Sequence, residues 1–247
     1  MFRLFRRRNA GIVQIAPDVW EKVERTLTFL EYLPDEDRLR LRRLALKFLA
    51  MKQFYGANGL QLGDDILLSI ALQACLPILN IGLDAYRGWV GIVVYPGEIV
   101  IPRHETDEDG LVHEFDDIVL GEAWQGGPVL LSWFADDEMR PNVVLHEFAH
   151  KLDMANGEAD GFPPLPPDMS RQTWAHTFSQ AFKTLRNQIN RGEDTALDPY
   201  AAEHPAEFFA VASEVFFEDP LLLKEAYPAV YEQLALFYRQ NPDRYAQ

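Results

Sequence analysis

Residues 146–150 read His-Glu-Phe-Ala-His, and no other stretch restricts the architecture of this chain so tightly. Two histidines four apart project from one face of an α-helix, one turn from each other. At that spacing both rings can reach one metal ion, and the glutamate beside the first can serve as general base toward a water molecule. Pro141 suits a first helical turn. Val143, Val144, Leu145, Phe148, Ala149 and Leu152 surround the motif with apolar side chains, so the helix is expected to be buried. Buried neutral imidazoles need polar partners, and a charged Glu147 between them is hard to place in an ordinary core. A metal site therefore accounts for the three residues better than a pair of hydrogen-bonded core histidines.

Composition narrows the chemistry further. The 247 residues allow one large domain or two small ones. A net charge of −15 argues against general nucleic-acid binding, because phosphates would be repelled. The single cysteine, Cys75, lies in an apolar run and reads as a small core residue. One cysteine excludes an internal disulfide framework, fits a cytoplasmic setting and leaves histidine and carboxylate as the available zinc ligands. Residues 1–11 carry Arg3, Arg6, Arg7 and Arg8 and read as a flexible basic tail. No apolar run follows it, so neither a secretory signal nor a membrane span is expected.

The remaining pattern is mainly helical. Residues 18–33 and 35–54 carry leucines and aromatics at helical spacing around Pro34, and Asp64 and Asp65 open a third, very apolar helix that Pro77 stops. Residues 90–95 form a β-type run, Pro96-Gly97 makes a turn, and 99–101 suit a return strand. The segment 103–117 holds seven carboxylates and reads as an acidic loop, with short strands at 118–120 and 129–134. A small sheet thus stands just before the motif helix. Beyond it come a Gly/Pro loop at 156–167, a candidate wall of the cleft, a helix at 170–192, a strongly apolar helix at 205–217 and two short amphipathic helices. The fold class is α+β. One domain is expected over 12–247, with a helical part at about 18–80 and a catalytic part at about 88–247.

Two histidines do not complete a hydrolytic zinc site, which normally has three protein ligands and an open position. His113, Glu158, Glu203, Glu207 and Glu214 are the candidates. Glu207 lies in PAEFFAV, where a carboxylate is costly unless a cation pairs with it. That argument leans to Glu207 but leaves Glu214, two turns later, open. Asp153, three residues after His150, could accept the second ring proton of a ligating histidine; otherwise it is a surface carboxylate at a helix end.

The segments HEFAHKLD, NGEADGFPPLP and DPYAAEHPAEFFAVASEVFF together resemble the Mlc titration factor A family of zinc metallopeptidases, over most of the chain. That family is related to the catalytic domain of anthrax lethal factor, with which the chain shares a Tyr, six intervening residues and Glu-Phe-Phe. The resemblance implies a zincin-like fold of the gluzincin type, with one zinc ion per chain. It makes Glu207 the third ligand and Tyr200 the catalytic tyrosine beside Glu147. GLVH at 110–113 also resembles the family pattern, which implies His113 as a fourth ligand displaced when substrate binds. A place away from the metal on the acidic loop stays open for it, since four protein ligands would close the catalytic position. His104, His176 and His204 read as surface or packing residues. Two functions follow from the resemblance: an aminopeptidase-like hydrolase, its peptide paired with an edge of the small sheet, or a protein that sequesters a transcriptional repressor of the Mlc type.

Overall fold

The computed structural model of the chain describes residues 15–106, 112–134 and 141–245. The basic tail read at 1–11 lies outside them, as do Gly110 and Leu111 of the GLVH segment.

Helix α1 (Pro17–Thr26) begins on a proline and ends earlier than its apolar spacing predicts. The Thr26 hydroxyl donates to the Val23 carbonyl, a local bond that competes with helix continuation, and a short 3-10 turn replaces the next part. Helix α2 (Asp35–Met51) has Asp35, Glu36 and Asp37 in its first turn, where the helix dipole favours them. It buries Leu41, Ala45, Phe48 and Leu49 along one stripe. Strand β1 (Gln53–Gly56) follows directly. Helix α3 (Asp64–Cys75) is buried continuously from Leu68 onward, as its apolar composition requires.

Strands β2 (Gly91–Tyr95), β3 (Ile99–Thr106), β4 (Val112–Val119), β5 (Gly121–Ala123) and β6 (Val129–Ser132) follow. The main sheet is mixed, in the order β1-β2-β6-β5. Its first three strands are parallel, with Phe54 opposite Ile92 and Val93 opposite Leu130. β5 runs antiparallel to β6 and forms the edge, with Glu122 opposite Leu130. The α3 crossover makes the parallel β1/β2 pairing possible.

The segment expected as an acidic loop is instead mostly a two-stranded antiparallel hairpin, β3 with β4. Its charges hid an alternation in which apolar residues recur among the acids. Val100 and Ile118 face each other across the strands and are both well exposed, so the hairpin projects as an arm. Arg103 ties it down by ion pairs to Asp117 and to Glu122 of β5.

Helix α4 (Val143–Asp153) is capped by Asn142, whose side chain accepts the Leu145 N–H at 2.9 Å. Helix α5 (Arg171–Asn190) starts at the Ser170 cap. Helices α6 (Pro205–Glu218), α7 (Pro220–Ala226) and α8 (Pro228–Tyr238) each begin on a proline. One hydrophobic cluster runs through the elements from Val23 to Tyr238. Phe148 of α4 packs edge-on against Phe48 and Tyr86, and tilted against Trp89, which anchors the motif helix to the N-terminal helices. No helix among the described residues is long and apolar enough to cross a membrane.

Candidate metal centre

Helix α4 presents different residues on each side. Phe148, Leu145 and Leu152 enter the core. Val143, Glu147 and Lys151, each four apart, face strand β5. His146 and His150 face the first turn of α6, where Glu207 sits two residues after Pro205. The sequence puts these helices 61 residues apart, from His146 to Glu207, and three local devices bring them together. His204, exposed as expected, caps α6 by accepting the Ala206 N–H. Asp153, at the end of α4, accepts the Gly161 N–H at 2.7 Å. Gly161 has a φ of +79°, and a Cβ on it would lie 2.5 Å from the carbonyl oxygen of Pro205, so its backbone lies directly against the start of α6.

The result is a triangle of donor atoms. His146 Nε2 lies 3.0 Å from Glu207 Oε2, His150 Nε2 lies 3.1 Å from His146 Nε2, and His150 Nε2 lies 3.3 Å from Glu207 Oε2. These are the residues among those described that could together hold a metal ion. Tetrahedral coordination with bonds of about 2.0 Å separates ligand atoms by roughly 3.3 Å, so the donor set fits a zinc-sized ion. Two imidazoles and one carboxylate also match zinc in kind and leave a fourth position open.

Carboxylates surround this triangle. Glu214, weighed above as a ligand, sits on the far side of His146 with Oε1 2.6 Å from Nδ1. A carboxylate there accepts the Nδ1 proton and so leaves Nε2 as the nitrogen that faces Glu207 and His150 and that a metal would bind once its own proton has left. Burial works against a charged His146 ring, yet the hydrogen bonds to Glu207 and Glu214 outweigh it and raise its pKa to about 10. Burial likewise opposes charge on Glu207, but hydrogen bonds from both histidines hold its carboxyl well below the usual range. Glu147 is only 5% exposed, burial lifts it to about 7, and its Oε2 has no hydrogen-bond partner. An unpaired buried carboxylate oxygen beside a donor triangle is suited to taking a proton from a small molecule held there.

Tyr200 lies in a short 3-10 turn before α6, half exposed, its ring centroid 6.1 Å from that of His146. Burial, and then the nearby Glu207 carboxylate, raise its pKa, so the phenol stays protonated. Asp153 is fully buried, which removes the surface alternative, and burial lifts it to about 6. It does not hydrogen-bond His150: its Oδ1 and the His150 Nδ1 are both buried without partners. Its bond instead goes to Gly161. His113 stands exposed on β4, opposite Glu105, and is not part of the donor triangle. Lys151 is a site residue that the sequence reading does not reach. It is 4% exposed and donates to the carbonyls of Trp124 and Gly127. A lysine flanked on both sides by helix-core residues was the available signal.

Residues 2–239 match the family described as glucose-regulated metallo-peptidase M90. The chain is 36% identical to the Mlc titration factor A of Salmonella arizonae over 239 residues, covering 94% of this chain and 95% of that protein. It is also 36% identical to the proteins of the same name from Cronobacter sakazakii, over 92% of this chain and 88% of that one, and Klebsiella pneumoniae, over 90% and 86%.

Proposed function

The chain belongs to the glucose-regulated metallo-peptidase M90 family, and on that premise we propose that it is a zinc-dependent, aminopeptidase-like hydrolase with its active centre at the α4/α6 junction. The observation that carries the reading is the donor triangle with the unpartnered Glu147 oxygen beside it. His146, His150 and Glu207 would hold one zinc ion per chain. When bound, zinc supplies a lowered pKa for water and polarises a carbonyl.

The chain's own residues do the rest. Glu147 takes the proton of the attacking water and hands it to the leaving amine. Tyr200 donates its hydroxyl proton as a hydrogen bond to the substrate carbonyl oxygen as that oxygen gains charge. Glu214 keeps His146 in the tautomer that presents Nε2. The open edge of β5 offers backbone groups along which an extended peptide can align. His113 joins the donors only if the β3–β4 hairpin carries it there; unchanged zinc affinity in His113→Ala removes it from the site. Cytoplasmic location belongs to the same reading, on the single buried cysteine.

The test is Glu147→Gln. Zinc per chain should stay at the wild-type level while hydrolysis of aminoacyl and peptide substrates is lost. Wild-type turnover in the zinc-loaded variant would sink the mechanism. The shared name of the relatives, Mlc titration factor A, favours a second reading in which the chain also binds a repressor of the Mlc type. Retention of such a repressor by immobilised Glu147→Gln protein supports binding independent of catalysis; no retention by either form removes it.

A further inference from the structure

Strand β5 has three residues, pairs with β6 on one side only, and has to stay fixed beside the helix that carries Glu147. Such a strand has few ladder bonds of its own. At its first residue, contact with α4 is direct: a Cβ on Gly121 would lie 2.5 Å from Glu147 Oε1 and 2.7 Å from Val143 Cγ1. At its far end Lys151 provides the second point. Its ammonium donates to Trp124 O at 2.6 Å and to Gly127 O at 2.9 Å, gripping the turn that joins β5 to β6. That turn closes on itself by a Gly127 N–H to Trp124 O bond at 2.9 Å, with Gly126 at φ +63°.

The lysine is costly where it stands. It is buried, the one carboxylate whose charge favours it is Glu147 a helical turn earlier, and a neutral side chain of similar length would fill the volume. The charge is supported further by the two carbonyls and by the Trp89 ring, 4.5 Å from Nζ to the centroid. Trp89 is held from another direction by Lys52, whose ammonium lies 3.3 Å from the ring centroid and donates to the carbonyls of Tyr86 and Trp89. The outcome is a bracket: α4 touches the first residue of β5 at Glu147 and, one helical turn on, the β5–β6 turn at Lys151.

We propose that Lys151 is a positioning residue that holds the β5 edge in register with Glu147, so that the chain aligns extended peptides rather than only single aminoacyl groups. The kinetic part of this rests on the peptidase reading above; the structural part does not. A peptide spanning several residues along β5 depends on the whole bracket, whereas an aminoacyl anilide reaches only the end nearest Glu147.

The experiment uses the full chain with Lys151→Met, and Lys151→Gln as a milder variant that keeps an N–H donor group without the charge. Three quantities are read: zinc per chain, amide hydrogen exchange in residues 121–127 against residues 143–153, and kcat and KM for aminoacyl p-nitroanilides and for peptides of increasing length. The expected result is unchanged zinc, faster exchange confined to 121–127, and a KM for the longer peptides raised on the order of tenfold while the anilides are unaffected. Lys151→Gln should show the same pattern more weakly, and it decides the matter if the methionine variant does not fold. Wild-type exchange at 121–127 in a folded, zinc-loaded variant overturns the proposal. So does an equal loss on substrates of every length, which would mark a general structural role. If wild-type protein cleaves none of these substrates, the peptidase reading fails, and the exchange measurement alone decides whether Lys151 is the bracket.

Discussion

At the scale of single residues, the site is defined by which carboxylate serves which nitrogen of His146. Cost of burial alone could not separate Glu207 from Glu214, because both are glutamates on one apolar helix. Packing separates them: seven residues along α6, one meets Nε2 and the other Nδ1. Glu214→Ala should therefore keep the fold but lower zinc affinity by about 10–100-fold, the usual effect of removing a carboxylate that orients a ligand histidine. Titration against a chromophoric chelator, with thermal unfolding as control, checks this. The same pair of carboxylates gives a pH dependence. The pKa of His146 is raised to about 10, so below that pH a proton occupies the ring and a metal ion must displace it. Zinc affinity should thus fall by about tenfold for each unit of acidification between about pH 8 and about pH 6, with a proton released on binding. A pH-independent affinity over that range would show that His146 is not a ligand.

At the scale of elements, the motif helix and the Glu207 helix were legible because each carries a continuous apolar pattern over several turns. The four-residue β1 was not, since QFYG follows α2 without a turn signal and its pairing partner lies 38 residues away, Gln53 to Gly91. The hairpin β3–β4 was hidden by its charge. The device that joins α4 to α6 was also invisible in sequence, because nothing in Gly161 announces that its N–H goes to Asp153, its carbonyl to the Trp174 indole and its missing side chain to Pro205. That triple use makes a sharp prediction. In Gly161→Ala the backbone conformation alone costs about 1–3 kcal/mol, and the new methyl group must also push α6 away from α4. Denaturant unfolding should show at least that loss, and zinc should bind more weakly although no ligand has changed. Asp153→Asn, which keeps an acceptor for the Gly161 N–H, should do much less harm than Asp153→Ala.

At the scale of the whole molecule, the donor triangle is the place where two separately anchored parts of the core meet. α4 is held by Phe148 in the cluster with Phe48, Tyr86 and Trp89. α6 is held through Phe208 and Phe209, which pack on Trp174 and Phe178 of α5. Glu207 and Glu214 of α6 stand at this junction, with Glu147 on the neighbouring side of α4. Carboxylates gathered in a partly buried junction repel one another, and the chain already carries a net charge of −15. A divalent cation offsets that repulsion and ties the two helices together, so binding is coupled to stability through mass action. Free zinc at about 1,000 times its dissociation constant adds about 4.1 kcal/mol to the native state. For a domain of this size that corresponds to a rise in Tm of about 8–16 °C. Calorimetric scans of the full chain in excess zinc and after exhaustive chelation should differ by this amount, and the difference should vanish in Glu207→Ala. Equal melting temperatures for the zinc-treated and chelated wild type would mean that the α4–α6 junction holds no cation, whatever the spacing of its ligand atoms.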